Sequence, residues 1–236
     1  MEPARRPRVK ICCISSVEEG RLAIRCGAAA LGLVSDMPSG PGVIPEPLIG
    51  EIAATIPPGI ASFLLTSRQS AVAIIDQQRR MWVNTIQMCD HLTDGTYQHL
   101  RDALPGVSLV QVIHVTGEAS IAEAAAVAPL VDGILLDSGS QTLAVKELGG
   151  TGRRHDWQIS RRIRETIGVP LYLAGGLRPE NVAEAIDTVG PFGLDICNGV
   201  RTDGRLDEVK LVAFFEAVRA ATRHPRAADA RHAARS

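Results

Sequence analysis

Short apolar runs rich in Val, Ile and Leu alternate with longer stretches of helical period from Val9 to Ala221. The runs at 9–15, 30–35, 60–66, 85–90, 108–115, 133–138, 170–174 and 192–197 are each bounded by Gly, Pro, Ser or Asp. Most are apolar throughout, as a strand covered on both faces must be. Helical periodicity falls at 17–26, 46–55, 70–81, 95–104, 121–130, 157–167, 179–188 and 207–221. Pro179 followed by Glu180 marks the expected start of the seventh helix. Eight strand–helix units predict an α/β fold, a closed parallel (β/α)8 TIM barrel forming a single domain over 1–222. An open, doubly wound sheet is the alternative if one or two strands are miscounted. From 223 to 236 the chain is rich in Ala and Arg with no apolar face, and a disordered tail is expected.

Composition narrows the partners. With 25 basic and 26 acidic residues, no charged surface for nucleic acid or membrane is expected. Met1 to Pro7 is polar, which argues against a signal peptide, and no segment is apolar enough to span a bilayer. The five cysteines (Cys12, Cys13, Cys26, Cys89, Cys197) show no metal-ligand spacing and read as reduced thiols in a cytoplasmic protein. A small-molecule ligand remains, since a phosphate site needs only a few local donors.

In this fold, chemistry sits at the carboxyl ends of the strands. Gly175 and Gly176 follow the seventh strand, and Asn198 and Gly199 follow the eighth. Two glycine turns at adjacent strand ends, each leading toward a helix, predict a phosphate site. The proton-transfer candidates are Cys12 and Asp137, at the ends of strands one and six. Lys10 is placed to lower the pKa of Cys12 if its ammonium lies near. Cys13, one residue on, is expected to point the opposite way. A small buried hydrophobe is the alternative role for Cys12.

Taken in order, the strand ends resemble the phosphoribosylanthranilate isomerase family of tryptophan biosynthesis. The matching elements are Lys10-Ile11-Cys12, Leu135-Leu136-Asp137-Ser138, and Gly149-Gly150-Thr151-Gly152 with Asp156-Trp157. They continue through Ala174-Gly175-Gly176-Leu177, Pro179-Glu180-Asn181-Val182, Asp195 and Gly199-Val200. The resemblance spans Lys10 to about Ala221 and implies an Amadori rearrangement of an aminoaldose 5-phosphate to an aminoketose. It implies Asp137 as the general acid that opens the ribose and Cys12 as the general base at C2. Lys10, Gln87, Gly150, Gly152, Gly175, Gly176, Asn198 and Gly199 are the implied substrate and phosphate contacts. No metal and no organic cofactor is implied, and the expected partner is a phosphorylated sugar substrate rather than nucleic acid or membrane, for a monomer or homodimer.

The departures cluster around the substrate's aglycone. Cys13 replaces the glycine of the family's KICG, and Gln87-Met88-Cys89-Asp90 replaces Gln-x-His-Gly. His155 stands where an aromatic usually precedes Asp-Trp, and Arg201 where a glutamate follows Gly-Val. The family's Ser-Pro-Arg, whose arginine faces the anthranilate carboxylate, is Ser39-Gly40-Pro41-Gly42 here. Arg153, Arg154, Arg178 and Arg201 are the candidates to replace that charge, and an arginine introduced at position 41 or 42 is expected to restore it. The alternatives are a related isomerase or lyase for another phosphorylated sugar, or a non-catalytic sugar-phosphate-binding barrel.

Overall fold

The computed structural model describes residues 6–139, Leu148 and residues 154–223. Eight parallel strands follow one another around a closed barrel. They are β1 (Arg8–Ile11), β2 (Ala30–Val34), β3 (Ala61–Thr66), β4 (Thr85–Met88), β5 (Ser108–His114), β6 (Gly133–Asp137), β7 (Leu171–Leu173) and β8 (Gly193–Ile196). Strand β1 pairs with both β2 and β8, which excludes the open sheet. The helices are α1 (Val17–Cys26), α2 (Glu46–Ala54), α3 (Ala71–Met81), α4 (Tyr97–Ala103), α5 (Ala119–Val127), α6 (Trp157–Thr166), α7 (Val182–Val189) and α8 (Glu208–Arg223). No helix among the described residues is long and apolar enough to cross a membrane.

A period of two along the strands divides the core. Val9, Ile11, Leu31, Leu33, Ile86, Ile113, Leu136 and Leu194 belong to a large cluster shared with the helices. The alternate positions Cys12, Ala30, Val34, Phe63, Leu65, Val110, Val112, Leu135 and Ala174 form a second cluster inside the barrel. Every strand is buried on both faces, which is why the runs read as continuously apolar. Lys10 and Asp195 take interior positions on neighbouring strands and are paired in register across the β1–β8 seam. Their side chains meet at 2.9 Å, with Lys10 fully buried.

Three local features differ from the sequence expectation. Strand β1 stops at Ile11 rather than at 15, because Cys13 turns the chain with φ 63°, in the left-handed region. Helix α7 starts at Val182, three residues after Pro179. The Asn181 side chain accepts from the Arg178 N–H and donates to the Gly176 carbonyl, folding 178–181 into a separate turn. After β8 the chain makes a short antiparallel hairpin, Arg201–Thr202 with Arg205–Leu206, which periodicity over two residues cannot signal. The loop glycines at 149–152 and the tail at 224–236 lie outside the described residues.

The seam ion pair gives a stability prediction. Lys10→Met leaves the Asp195 carboxylate buried without its partner, which typically costs about 3–5 kcal/mol. Urea unfolding of the variant is expected to show a loss of that size. A loss below about 1 kcal/mol means that the pair does not hold the seam.

Candidate active site

A cavity of about 520 Å³ opens at the carboxyl ends of the strands. Its wall includes Cys12, Cys13, Gln87, Cys89, Asp137, Gly175, Gly176, Arg178, Asp195, Cys197, Asn198 and Gly199. The size suits a small ligand rather than a polymer. Sequence reasoning therefore named residues that do come together, on β1, β4, β6, β7 and β8. Gly150 and Gly152 lie outside the described residues.

The chemistry begins at Cys12. Its Sγ and the Lys10 Nζ each lie 3.0 Å from the point where a Cβ would stand on Gly32, so thiol and ammonium share one gap against β2. A hydrogen bond from the Cys13 thiol lowers the Cys12 pKa; burial opposes this, and the Lys10 ammonium lowers it further. Lys10 stays charged although burial works against it, because the Asp195 carboxylate lies beside it. Lys10 is not part of the cavity wall: it sits beneath the thiol, bound to Asp195, and acts on the cavity through Cys12.

Cys13 does not point away, contrary to the strand alternation expected there. The left-handed turn swings its side chain onto the cavity wall, where its sulfur accepts from the Cys197 thiol at 2.7 Å. The Cys13 pKa is raised well above the ordinary thiol range, first because it donates to Cys12 and then by its bond with Cys197 and burial. Three sulfurs thus form a relay from Cys197 through Cys13 to Cys12. Cys89 lies deeper, and burial pushes its thiol up, so it behaves as a buried apolar group.

Arg201 holds this turn in place. Its guanidinium pairs with Glu19 at 3.0 Å and donates to the carbonyls of Cys12, at 3.3 Å, and Cys13. Glu19 also accepts the N–H groups of Ser15, at 3.0 Å, and Leu206, at 2.8 Å. The Ser16 hydroxyl caps α1 by accepting the Glu19 N–H, which fixes Glu19 in the first turn. This contact joins residues 182 apart in the chain, and no local pattern announces it.

Asp137 ends β6 and is buried at the cavity wall. Burial pushes its pKa up to about 6; the Ser138 N–H lowers it, Asp195 raises it and Lys10 lowers it. This carboxyl holds its proton to a higher pH than an ordinary aspartate, while Cys12 moves toward the thiolate. Opposite shifts on two groups of one cavity make Cys12 and Asp137 the candidates for an acid–base pair. Gln87 lies between them in barrel order, 4% exposed, with its Oε1 lacking a hydrogen-bond partner. Gln87 lines the cavity, but this oxygen is itself enclosed by protein.

The loops after β7 and β8 meet closely. A Cβ on Gly199 would stand 2.2 Å from the Leu177 carbonyl oxygen, so only glycine permits this approach. Gly175 and Gly176 both have left-handed backbones, and Arg178 and Lys210 bring positive charge to the same end of the cavity. On the other side of β1 the wall is Val34, Met37, Ser39, Gly40, Pro41 and Leu65. Of the arginines considered for that side, Arg201 is bound to Glu19, and Arg154 stacks on Trp157 while pairing with Glu184. Arg178 lies at the glycine end, and Arg153 is outside the described residues.

Comparison with known proteins covers nearly the whole chain. Residues 65–217 match the family described as N-(5'phosphoribosyl)anthranilate (PRA) isomerase. The chain is 33% identical over 213 residues to the N-(5'-phosphoribosyl)anthranilate isomerase of Methanocella arvoryzae, covering 90% of this chain and 98% of that protein. It is similar to the crystal structure of phosphoribosyl anthranilate isomerase from Thermotoga maritima, with a TM-score of 0.76 and 26% identity, over 91% of this chain and 99% of that one. It is similar as well to a phosphoribosyl anthranilate isomerase in complex with reduced 1-(o-carboxyphenylamino)-1-deoxyribulose 5-phosphate, with a TM-score of 0.73 and 25% identity, over 91% and 99%.

The raised Asp137 pKa makes a signed prediction. Moving this carboxyl from its ordinary 3.8 to about 6 destabilises the folded state by up to about 3 kcal/mol at a pH above both values. The penalty is absent below 3.8, grows through the window between the two values, and is complete above 6. Asp137→Asn removes the charge and is expected to raise stability by about 1–3 kcal/mol at pH 8. That gain should vanish below about pH 4, as read from denaturant midpoints across pH. A variant less stable than the parent at pH 8 overturns the assignment.

Proposed function

The chain belongs to the N-(5'-phosphoribosyl)anthranilate isomerase family, and on that premise we propose that it converts N-(5'-phosphoribosyl)anthranilate to the 1-deoxyribulose 5-phosphate derivative in tryptophan biosynthesis. The observation that carries the reading is the placement, on one cavity, of the Cys12 thiol beside the Lys10 ammonium and of the buried Asp137 carboxyl. Asp137 donates its proton to the ribose ring oxygen as the C1–O bond breaks, giving the open-chain imine. The Cys12 thiolate then removes the C2 proton, and its electron pair moves into the enolamine, which tautomerises to the ketone. Both steps are proton transfers and draw on no electron acceptor.

The phosphate is assigned to the glycine end, against Gly175, Gly176, Asn198 and Gly199, with Arg178 adding charge. Gln87 is assigned to a polar group of the substrate between the two catalytic side chains, as a residue of the cavity wall. Lys10 is assigned an indirect part, through the Cys12 thiolate rather than through the phosphate. The enzyme is read as cytoplasmic, monomeric or homodimeric.

The anthranilate ring is assigned to the Val34–Met37–Pro41–Leu65 side, where the described residues of the wall supply no cation. A charge-assisted bond to the carboxylate is worth about 1.5–3 kcal/mol, so its absence should appear as a raised KM. Pro41→Arg is expected to lower KM for this substrate by roughly tenfold or more. Gly42→Arg is not equivalent, contrary to the sequence expectation. Gly42 has φ 81°, and a Cβ there would lie 2.4 Å from the Cys13 Cβ. An unchanged KM in Pro41→Arg places the ring elsewhere.

Steady-state kinetics tests the acid–base pair. Cys12→Ser and Asp137→Asn should each lower kcat by about 10²–10⁴-fold while the fold is retained. Cys13→Ala removes the hydrogen bond to Cys12 and should shift the acid limb of the pH profile upward. Cys13→Ser keeps a donor and should behave more like the parent. Full activity in Cys12→Ser would falsify the mechanism.

A further inference from the structure

The thiols of Cys13 and Cys197 take no direct part in the isomerisation, yet they meet at the mouth of the cavity. We propose that Cys13 and Cys197 are a modification site, where a peroxide-class oxidant makes a reversible disulfide that lowers the reactivity of Cys12. Their sulfurs are 2.7 Å apart, and closing to the about 2.05 Å of a disulfide needs a movement of under 1 Å. Both residues lie just past the ends of β1 and β8, which are held in register through the pair Ile11 and Ile196. The two backbones are therefore already side by side. Each sulfur borders an open cavity of about 520 Å³, so a small oxidant reaches it without unfolding.

The turn at Cys13 supplies the second observation. A left-handed backbone is strained for any residue with a Cβ, yet the chain keeps a cysteine there. Gly42 makes room for it: any side chain at 42 would strike Cys13. Arg201 binds both the Cys12 and Cys13 carbonyls and keeps the turn closed over the Cys197 thiol. The thiol of Cys13 is thus aimed across the β1–β8 seam by contacts that a simple turn does not need.

The chemistry balances with one equivalent of peroxide. One sulfur gives an electron pair to a peroxide oxygen, forming a sulfenic acid and releasing water. The second thiol attacks that sulfur and expels another water, so the pair loses two electrons and two protons. In the product the Cys13 sulfur has no proton to donate, so Cys12 loses the hydrogen bond that holds its proton affinity down. The thiol also gives up its contact with the Pro41 carbonyl, 3.5 Å away. A thiol reductant reverses both changes.

The reduced, full-length protein is treated with hydrogen peroxide and read in two ways, neither of which uses the isomerase substrate. Peptide mapping without reductant should show one internal crosslink, between the peptides carrying Cys13 and Cys197. The alkylation rate of Cys12 by iodoacetamide at pH 7.5 should fall by at least tenfold on crosslinking and recover with dithiothreitol. Cys197→Ser should abolish the crosslink and the reversible part of that fall, each judged against its own reduced form. A crosslink that instead includes Cys12, no crosslink at all, or an unchanged alkylation rate in crosslinked protein overturns the proposal. Equal reversible protection in Cys197→Ser overturns it as well. Failure of the isomerase reading leaves both readouts intact, so the two failures are distinguishable.

Discussion

The ion pair between Lys10 and Asp195 is the contact on which the cavity depends. It lies in the barrel interior, 2.9 Å across, on the two strands that close the sheet. Two charges taken out of water are stable only together, so each fixes the other and both fix the register of β1 against β8. The same pair sets the field above it. The ammonium adds to the Cys13 hydrogen bond in drawing the Cys12 thiol toward its anion, and the carboxylate adds to the burial that raises the proton affinity of Asp137. Each charge also opposes the effect of the other, and proximity decides: Cys12 shares the Gly32 gap with the Lys10 ammonium. One buried pair therefore supplies closure and electrostatic polarity together.

A second constraint acts on direction rather than charge. Cys12 faces the cavity by the alternation of β1, and Cys13 joins it on the wall because the strand ends at Ile11 and Cys13 turns the chain. The turn is held by the guanidinium of Arg201, which is itself held by Glu19 from α1. The family's glycine at 13 and glutamate at 201 are both absent, and the replacements contact each other. Arg201 binds the Cys13 carbonyl, and Gly42 leaves space for the Cys13 side chain. The departures at these positions form one connected local solution rather than separate losses. The aglycone wall shows no such compensation among the described residues.

The barrel was legible because both faces of every strand are buried, so apolar runs and turn residues repeat with little ambiguity. Cys12, Gln87, Asp137 and the glycines at 175, 176 and 199 were legible because the fold collects strand ends at one mouth. The start of α7 was misread because Pro179 opens a turn as readily as a helix, and the Asn181 side chain selected the turn. Cys13 was misread because alternation holds only while the strand continues. The Arg201–Glu19 contact and the Cys197 partner of Cys13 depend on pairings across the barrel, which periodicity does not carry. Lys10 was placed on the ligand by resemblance, whereas its burial puts it one layer below.

The measurement that bears most directly on this account is the pH dependence of Cys12 alkylation in the parent and in Lys10→Met, followed by peptide mapping under reducing conditions. If the buried ammonium adds to the Cys13 hydrogen bond in favouring the thiolate, the parent should show an inflection below the ordinary thiol range of about 8.5, and Lys10→Met an inflection above the parent's. Inflections that coincide in the two proteins, or a parent inflection at the ordinary thiol value, would contradict it.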